Sequence, residues 1–310
     1  MDLTDLGVTI NKRWAGQQGQ ARELQEGRMI MSLGLAGPVS AVVRDWEDDI
    51  NEPPYLWSDL LARRNALGLR REDLIPVLRV DEVKYRARED GALPVGPYLV
   101  EELIAMEEFA AGLAAEMVAQ APTSGVVTLP ALPDQDQFAA AYPDARTLRD
   151  KFAYPLTLQH VACGRAAAEL SRQDRDVEVH RGDRRADLTV RRLAAGLEKN
   201  ETAALLGVEK KHYYTWERGA KPPAAGLLAE LQAVDDFIAA TAGQLEVSEV
   251  DGVAVVVMLD DQQQFEATYL QARTVRDQSP YPIRVHRVAA ARRAHQLEAA
   301  GQSARIAVAD

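Results

Sequence analysis

The chain has 310 residues, of which 47% are hydrophobic and 27% charged, with 36 basic and 47 acidic side chains and a formal net charge of -11. This composition is typical of a folded globular protein rather than a disordered one, and the length suggests more than one domain. The sequence has no apolar run near the roughly 20 residues that span a bilayer, and its single cysteine, Cys163, excludes an internal disulfide framework.

The first 55 residues differ from the rest of the chain. They open on an acidic stretch that is unlike a secretory signal, and Asn51–Pro54 separates them from the longer remainder. We expect residues 1–55 to form a helical segment that serves for packing or interaction. Together with the absence of a membrane span, this opening favours a cytoplasmic protein.

The remaining chain repeats itself. A stretch that begins at Gly68 aligns without a gap on a stretch that begins at Gly196. The coinciding identical residues include Leu69 and Leu197, Leu78 and Leu206, Val80 and Val208, Tyr85 and Tyr213, Glu89 and Glu217, Gly91 and Gly219, Pro94 and Pro222, and Phe109 and Phe237. A second block matches residues 138–170 to residues 265–297, with an offset that differs by one. The pattern predicts one unit of about 120 residues, written twice.

The front of each unit is predicted to consist of short helices. In the second unit, Leu188, Leu193 and Leu197 mark a first helix and Ala203, Leu205 and Leu206 a second. After the turn at Gly207-Val208, the spacing of Tyr213 and Trp216 predicts the buried face of a third helix. Gly219 ends that helix, Pro222-Pro223 prevents its continuation, and an amphipathic helix follows from about Ala225 to Gln244.

The back of each unit is predicted to alternate strands and helices as β-α-β-α. In the second unit these are the strand Val253–Met258, a helix with Phe265 that Asp260-Asp261 can cap, the strand Ile283–Val285, and a basic helix to Gly301. In the first unit they are Val126–Leu129, Phe138–Arg149, Leu156–Leu158 and His160–Leu170. Because a sheet of so few strands is marginal alone, we expect the two pieces to pair their sheets around one core.

The stretch from Val190 to Pro223 resembles the Xre/Cro-type helix-turn-helix. The residues that carry this resemblance are Gly196-Leu197, Leu205-Leu206-Gly207-Val208, Trp216-Glu217-Arg218-Gly219 and Pro222. A helix-turn-helix followed by a small α/β piece is also similar to the YdiL-type regulators, including anti-CRISPR-associated repressors. The resemblance implies a transcriptional regulator in which the α/β piece dimerises, here with two subunits fused into one polypeptide.

The expected fold is mostly α with small α/β parts. It consists of two tandem helix-turn-helix plus β-α-β-α units that form an intrachain pseudo-dimer behind an N-terminal helical segment. The expected divisions are the N-terminal segment (1–55), the first helix-turn-helix (56–124), the first β-α-β-α piece (125–172), a charged linker (173–186), the second helix-turn-helix (187–246), the second piece (247–302) and a tail (303–310).

The third helix of the second unit is the candidate DNA-reading surface. With Val208, Tyr213 and Trp216 inward, we expect exposed positions near the helix start that can reach base edges and phosphates. The candidate DNA-binding residues on this helix are Lys210, Lys211, His212 and Thr215. Lys199, at the start of the preceding helix, is expected to meet a phosphate, and Arg218 can extend that contact. Residues 181–221 hold ten basic and six acidic side chains within an acidic protein, which suits a local DNA face. An ordinary solvated helix face is the simpler alternative for the two adjacent lysines.

The first unit departs from this pattern. Arg79 replaces the turn glycine, Arg88 replaces the tryptophan, and Pro76 lies inside the second helix, where proline removes a hydrogen bond. The third helix begins Asp81-Glu82, which carries the wrong sign for phosphates, although Lys84 and Arg86 remain candidate contacts. We expect this unit to keep the fold and to bind DNA weakly, differently, or through another partner.

The sequence predicts neither an enzyme nor a metal or cofactor site. The histidines lack metal-ligand spacing, and Cys163 is expected to be a small buried apolar residue. Ala21–Glu26 and Met31–Gly37 resemble a helix of MazG-type nucleotide pyrophosphohydrolases, but the acidic ligands that hold magnesium in such enzymes are missing at the matching spacing.

We therefore expect a sequence-specific regulator that binds double-stranded DNA and acts as a repressor. Its two unlike units predict an imperfect or asymmetric operator with the second helix-turn-helix dominant, because operator symmetry mirrors protein symmetry. The alternative is a protein-interaction module, such as an antirepressor, antitoxin or adaptor, that uses a degenerate helix-turn-helix. The expected partner is DNA rather than a membrane. Self-association through the α/β pieces and a protein partner for the first helix-turn-helix stay open.

Overall fold

The computed structural model describes residues 19–24, 28–33, 55–219 and 221–309. Contacts divide the chain into an N-terminal unit, residues 1–53, and a compact unit, residues 54–310. Within the part of the chain so described, no helix is long and apolar enough to cross a membrane.

The described part of the N-terminal unit is a strand pair. Strand β1 (Gly19–Leu24) runs antiparallel to β2 (Arg28–Leu33), with Gly19 opposite Leu33 and Leu24 opposite Arg28. The prediction of a helical segment over residues 1–55 is therefore wrong for these two stretches, as is the comparison of residues 21–24 and 31–33 with a MazG-type helix. The rest of that predicted segment, up to residue 54, lies outside the described residues.

In the compact unit, the first half (residues 55–186) contains six helices and three strands among the described residues. The helices are α1 (Trp57–Ala66), α2 (Arg71–Leu78), α3 (Glu82–Glu89), α4 (Pro97–Ala119), α5 (Gln135–Ala141) and α6 (Thr157–Arg172). The strands are β3 (Val127–Pro130), β4 (Val177–Arg181) and β5 (Arg184–Arg185).

The second half (residues 187–309) follows the same order of helices. They are α7 (Asp187–Ala194), α8 (Lys199–Leu205), α9 (Lys210–Glu217), α10 (Ala225–Gln244), α11 (Gln262–Thr268) and α12 (Arg284–Ala299). The strands are β6 (Val247–Val250), β7 (Val253–Met258) and β8 (Ala304–Val308). The predicted bounds of α10 and β7 are confirmed, and Asp261 caps α11 by accepting a hydrogen bond from the Gln264 N–H. A mostly helical fold with small α/β parts is likewise confirmed.

The predicted second strand of each α/β piece is wrong. Leu156 and Ile283 already have helical backbone angles, and the long helices α6 and α12 begin at the next residue. The N–H of Leu158 donates to the carbonyl of Pro155 at 3.0 Å, which turns the chain into the helix instead of extending it. The order in each half is therefore strand, short helix, long helix, strand.

The strand that completes each sheet lies after the long helix. Strand β4 falls within the predicted linker, residues 173–186, and β8 falls within the predicted tail, residues 303–310. Strand β4 is parallel to β3, and β8 is parallel to β7, with Val127 opposite Val177 and Ala254 opposite Ala304. Parallel neighbours need a long crossover, and the intervening helices provide it.

The two sheets do not pair with each other, contrary to the prediction. Their strand orders are β3-β4-β5 and β6-β7-β8. The halves instead meet through helices, because α6 packs against α7 and α12 packs against α1. At these crossings Gly68 lies against the Leu193 carbonyl and Gly196 against the Asn65 carbonyl, so closely that a Cβ atom would lie 2.8 Å and 2.6 Å from those oxygens.

In each half, the strand that follows the long helix also contacts the helix that begins the other half. Asp59 in α1 accepts a 2.9 Å hydrogen bond from the Ile306 N–H in β8, and Ser58 donates to the Ile306 carbonyl at 2.6 Å. Asp187 in α7 accepts a 3.0 Å hydrogen bond from the Val179 N–H in β4. The chain thus closes on itself within the compact unit.

Candidate functional site

Helix α9 is anchored by two aromatic side chains. Tyr213 is fully buried and Trp216 is half-buried, and both pack with Val208 in the core of the second half. Burial raises the pKa of the Tyr213 hydroxyl above its usual value. The prediction that these three side chains point inward is confirmed, so the opposite face of α9 remains exposed.

The exposed face carries the predicted residues of this helix. Lys210, Lys211, His212 and Thr215 are all exposed. Among the described residues, no carboxylate forms an ion pair with Lys210 or Lys211, while His212 Nδ1 lies 3.8 Å from a carboxylate oxygen of Glu209. The Thr215 hydroxyl donates to the Lys211 carbonyl at 2.9 Å, so its proton is used within the helix and its lone pairs stay available.

Two further predicted residues flank α9 and differ in their engagement. Lys199 is 56% exposed, but its Nζ lies 3.0 Å from a carboxylate oxygen of Glu217 and 5.9 Å from the centroid of the Tyr214 ring. Arg218 follows the end of α9 and is exposed. Lys199 must therefore share its charge with a buried carboxylate, whereas Arg218 projects into solvent.

A buried ion pair supports this surface from below. Nε of Arg192 in α7 donates to a carboxylate oxygen of Glu217 at 2.6 Å, and Thr189 donates to the Glu217 carbonyl at 3.2 Å. In the first half Glu89 is held in the same way by Arg64, at 2.5 Å, and by Arg71. These buried ion pairs were not predicted from the sequence. The alignment of Glu89 with Glu217 was the signal that both carboxylates have the same structural role.

The equivalent helix of the first half, α3, presents different chemistry. The Asp81 carboxylate caps it by accepting from the Lys84 N–H at 2.9 Å, and Lys84 is itself half-buried. Arg86 is exposed and forms a 2.6 Å ion pair with Glu82. Val83, at the position aligned with Lys211, is 75% exposed. Helices α3 and α9 therefore differ in charge and in polarity at aligned positions.

The turn before α3 tolerates its unusual residues. Arg79 adopts a left-handed conformation with φ of 52°, close to the φ of 58° at Gly207. Its guanidinium carbon lies 5.3 Å from the centroid of the Phe152 ring. Pro76 lies inside α2, which runs from Arg71 to Leu78. The turn between α2 and α3 thus keeps the left-handed conformation despite the replaced glycine.

Burial concentrates the local positive charge on a few side chains. Arg191 and Arg192 are buried, and Arg185 pairs with Glu178 and Asp187. The exposed cations of residues 199–221 are Lys199, Lys210, Lys211, Arg218 and Lys221. The last of these was not singled out from the sequence, nor was Asn200, whose side-chain oxygen accepts a 2.9 Å hydrogen bond from the Tyr214 hydroxyl.

Within the described residues, no cluster of histidine, cysteine or carboxylate side chains is placed to hold a metal ion. Cys163 is fully buried, and burial raises the pKa of its thiol to about 12. Comparison with known proteins adds no assignment: no family model, no curated protein and no solved structure matches this chain.

Proposed function

We propose that the protein is a sequence-specific, double-stranded DNA-binding transcriptional regulator that acts as a repressor and reads DNA mainly with α9. The observation that supports this most is the adjacent pair Lys210 and Lys211, exposed on a helix whose other face is anchored by Tyr213 and Trp216. A helix that is packed on one side and carries cations on the other has the form that enters a major groove.

The side chains of this face suit both parts of DNA recognition. Lysine binds phosphates and guanine edges, and the lone pairs of Thr215 can accept a hydrogen bond from an adenine or cytosine amino group. The exposed cations stand out against a chain of formal net charge -11. The surrounding negative charge limits binding to other faces, so that contact is directed to one surface.

We further infer that the compact unit is a duplicated fold whose halves act as a covalent pseudo-dimer. Matched contacts support this inference: Arg165 bridges Glu107 and the Ala66 carbonyl, as Arg292 bridges Asp235 and the Ala194 carbonyl. Because α3 and α9 carry different side chains, the proposed operator has unlike half-sites.

Selection from random DNA duplexes, followed by footprinting, tests the function without requiring a known operator. The proposal expects a recovered sequence motif that is not palindromic, with its stronger protection on one half-site. Failure to enrich any sequence would contradict sequence-specific binding, and a palindrome with equal protection would contradict the asymmetric reading.

A second candidate role concerns the first half alone. Val83 places an exposed apolar side chain where α9 has a lysine, and Glu82 neutralises Arg86. These features favour a protein partner for α3, as in an adaptor or antirepressor. In the footprint, an unprotected second half-site would favour this role, whereas two strongly protected half-sites would argue against it.

A further inference from the structure

In the first half, an aromatic side chain lies against an arginine near the turn that follows α2. We call the space between this arginine, the turn and the start of α4 the first cradle. Tyr98, the second residue of α4, lies beside Arg149, whose guanidinium carbon is 4.8 Å from the centroid of the tyrosine ring. The same guanidinium donates to the Leu78 carbonyl at 2.8 Å, at the end of α2. Tyr98 packs with Val80 against the core at this turn. The ring therefore lies against a guanidinium that is itself bonded to the end of α2.

The second half has a corresponding space between Arg276, the turn after α8 and the start of α10, which we call the second cradle. Arg276 donates to the Gly207 carbonyl at 3.4 Å, in the turn after α8, and also pairs with Asp277. The backbone N–H groups of residues 275 and 276 donate to Glu230 at 3.1 Å and 2.8 Å, as those of residues 148 and 149 donate to Glu102. The backbone at Arg276 is thus held in the same way as the backbone at Arg149, while the Arg276 guanidinium lies directly over Gly207, in the space that a Cβ atom there would take.

The ring itself is missing from the second cradle. Gly226, the second residue of α10, stands where α4 has Tyr98. Apart from its chain neighbours and the backbone of its own helix, a Cβ atom built on Gly226 would meet no atom of the described residues within 4 Å. A cavity of about 410 Å³ opens beside it, lined by Leu206, Val208, Leu227 and Arg276 among others. That volume falls within the range of roughly 300–1,000 Å³ that is usual for small-molecule sites.

We propose that this cavity binds a small uncharged aromatic molecule. Its ring stacks on the Arg276 guanidinium, which lines the cavity, as the Tyr98 ring lies against the guanidinium of Arg149 in the first half. Leucine and valine walls favour burial of the ring, and a guanidinium over an aromatic face is attractive. Val275 is 72% exposed and lines the same cavity, so its side chain becomes less exposed to solvent when the ring is bound.

The occupant would touch the base of the lysine-bearing helix. Leu206 and Val208 flank the turn between α8 and α9, and both line the cavity. The proposal concerns binding only and does not depend on the DNA-binding function, since its test measures ligand contacts on the protein alone.

The test uses p-cresol, the side chain of tyrosine as a free molecule, titrated into the full chain and followed by NMR. We expect shifts of the Arg276 Nε–H and of the Leu206 and Leu227 methyl groups, saturating at millimolar concentrations. The saturated analogue 4-methylcyclohexanol should bind several-fold more weakly because it lacks a ring face. Absence of shifts at millimolar p-cresol, or equal binding of the two compounds, would overturn the proposal.

Two variants locate the site. Gly226→Tyr supplies a ring from the chain itself and should abolish the shifts at Arg276; shifts that persist in this variant, with the fold intact, would refute the site. If Gly226→Tyr fails to fold, Tyr98→Gly decides: emptying the first cradle should create a second set of shifts around Arg149. No added shifts in a folded Tyr98→Gly protein would count against the proposal.

Discussion

Nε of Arg192 lies 2.6 Å from a carboxylate oxygen of Glu217, and both side chains are almost wholly buried beneath the lysine-bearing helix. Lys199 binds the second oxygen of the same carboxylate at 3.0 Å. One carboxylate thereby joins α7, the start of α8 and the end of α9. The orientation of the candidate reading helix depends on this junction.

Glu217→Gln should therefore destabilise the protein strongly. The substitution leaves the buried Arg192 charge without its counter-charge, and breaking a buried pair costs about 3–5 kcal/mol. The free energy of unfolding from urea denaturation measures the loss. The control is Glu82→Gln, which breaks the exposed pair with Arg86 and should cost no more than about 1 kcal/mol. Similar losses in both variants would contradict the bracing role.

Gly196→Ala should weaken the crossing between the two halves. Gly196 has a φ of 69°, and a Cβ atom there would lie 2.6 Å from the Asn65 carbonyl oxygen and 2.5 Å from Val288 Cγ2. We expect a loss of more than about 1 kcal/mol in unfolding free energy. Gly243→Ala, in α10 with open space around it, should instead gain up to about 1 kcal/mol. A neutral Gly196→Ala would show that the helices do not pack this closely.

His286 should make stability depend on pH. Burial lowers its pKa to about 4, and its Nδ1 accepts a hydrogen bond from the Leu259 N–H at 3.3 Å, which only the neutral ring can do. The unfolded chain takes up a proton near pH 6.5, before the folded protein does, so stability falls as the pH drops from about 6.5 to about 4. The share due to this histidine reaches about 3 kcal/mol at the acidic end.

His286→Gln should remove that share and keep the hydrogen bond. In the first half, the Gln159 side-chain oxygen accepts from the Leu132 N–H at 3.1 Å in the equivalent place. The midpoint temperature of unfolding, measured at a series of pH values, should change less between pH 6.5 and pH 4 in the variant than in the unaltered protein. An unchanged slope would mean that His286 does not titrate in this window. His160, whose pKa burial also lowers, and Asp59, whose pKa burial raises to about 6, add contributions of opposite sign in this window, and both are the same in the two proteins.

Part of this structure can be read from the sequence. The helices of the second half follow from the spacing of leucines and from Gly219, whose φ of 73° ends α9. The short apolar stretches at Leu156–Leu158 and Ile283–Val285 fit a strand or a buried helix equally well, and they proved to enter helices. Strand β4 was missed because its charged residues hide the alternation of Val177 and Val179.

The candidate site, too, could be predicted from the sequence only in part. The exposed residues of α9 follow from helical periodicity once Tyr213 and Trp216 are placed inward. The partner of Lys199 could not be predicted, because Glu217 lies far along the chain and meets it only in the folded state. The open cradle at Gly226 likewise requires the position of Arg276, which belongs to a distant loop.

Lys211→Ala should weaken DNA binding more than Lys84→Ala. Lys211 is exposed and has no ion-pair partner among the described residues, whereas Lys84 is half-buried beside Asp81 and Glu82. A mobility-shift titration on a selected duplex measures both dissociation constants. Equal losses of affinity in the two variants would refute the prediction that α9 contributes more to DNA binding than α3 does.

The salt dependence of DNA binding tests the central claim most directly. The variant that combines Lys210→Ala with Lys211→Ala is compared with the unaltered chain on the same duplex, over a series of salt concentrations. Each lost phosphate contact lowers the slope of log affinity against log salt by about 0.9, so a decrease of up to about 1.8 is expected if both lysines meet phosphates. Identical slopes for the two proteins would contradict a DNA-contacting role for α9.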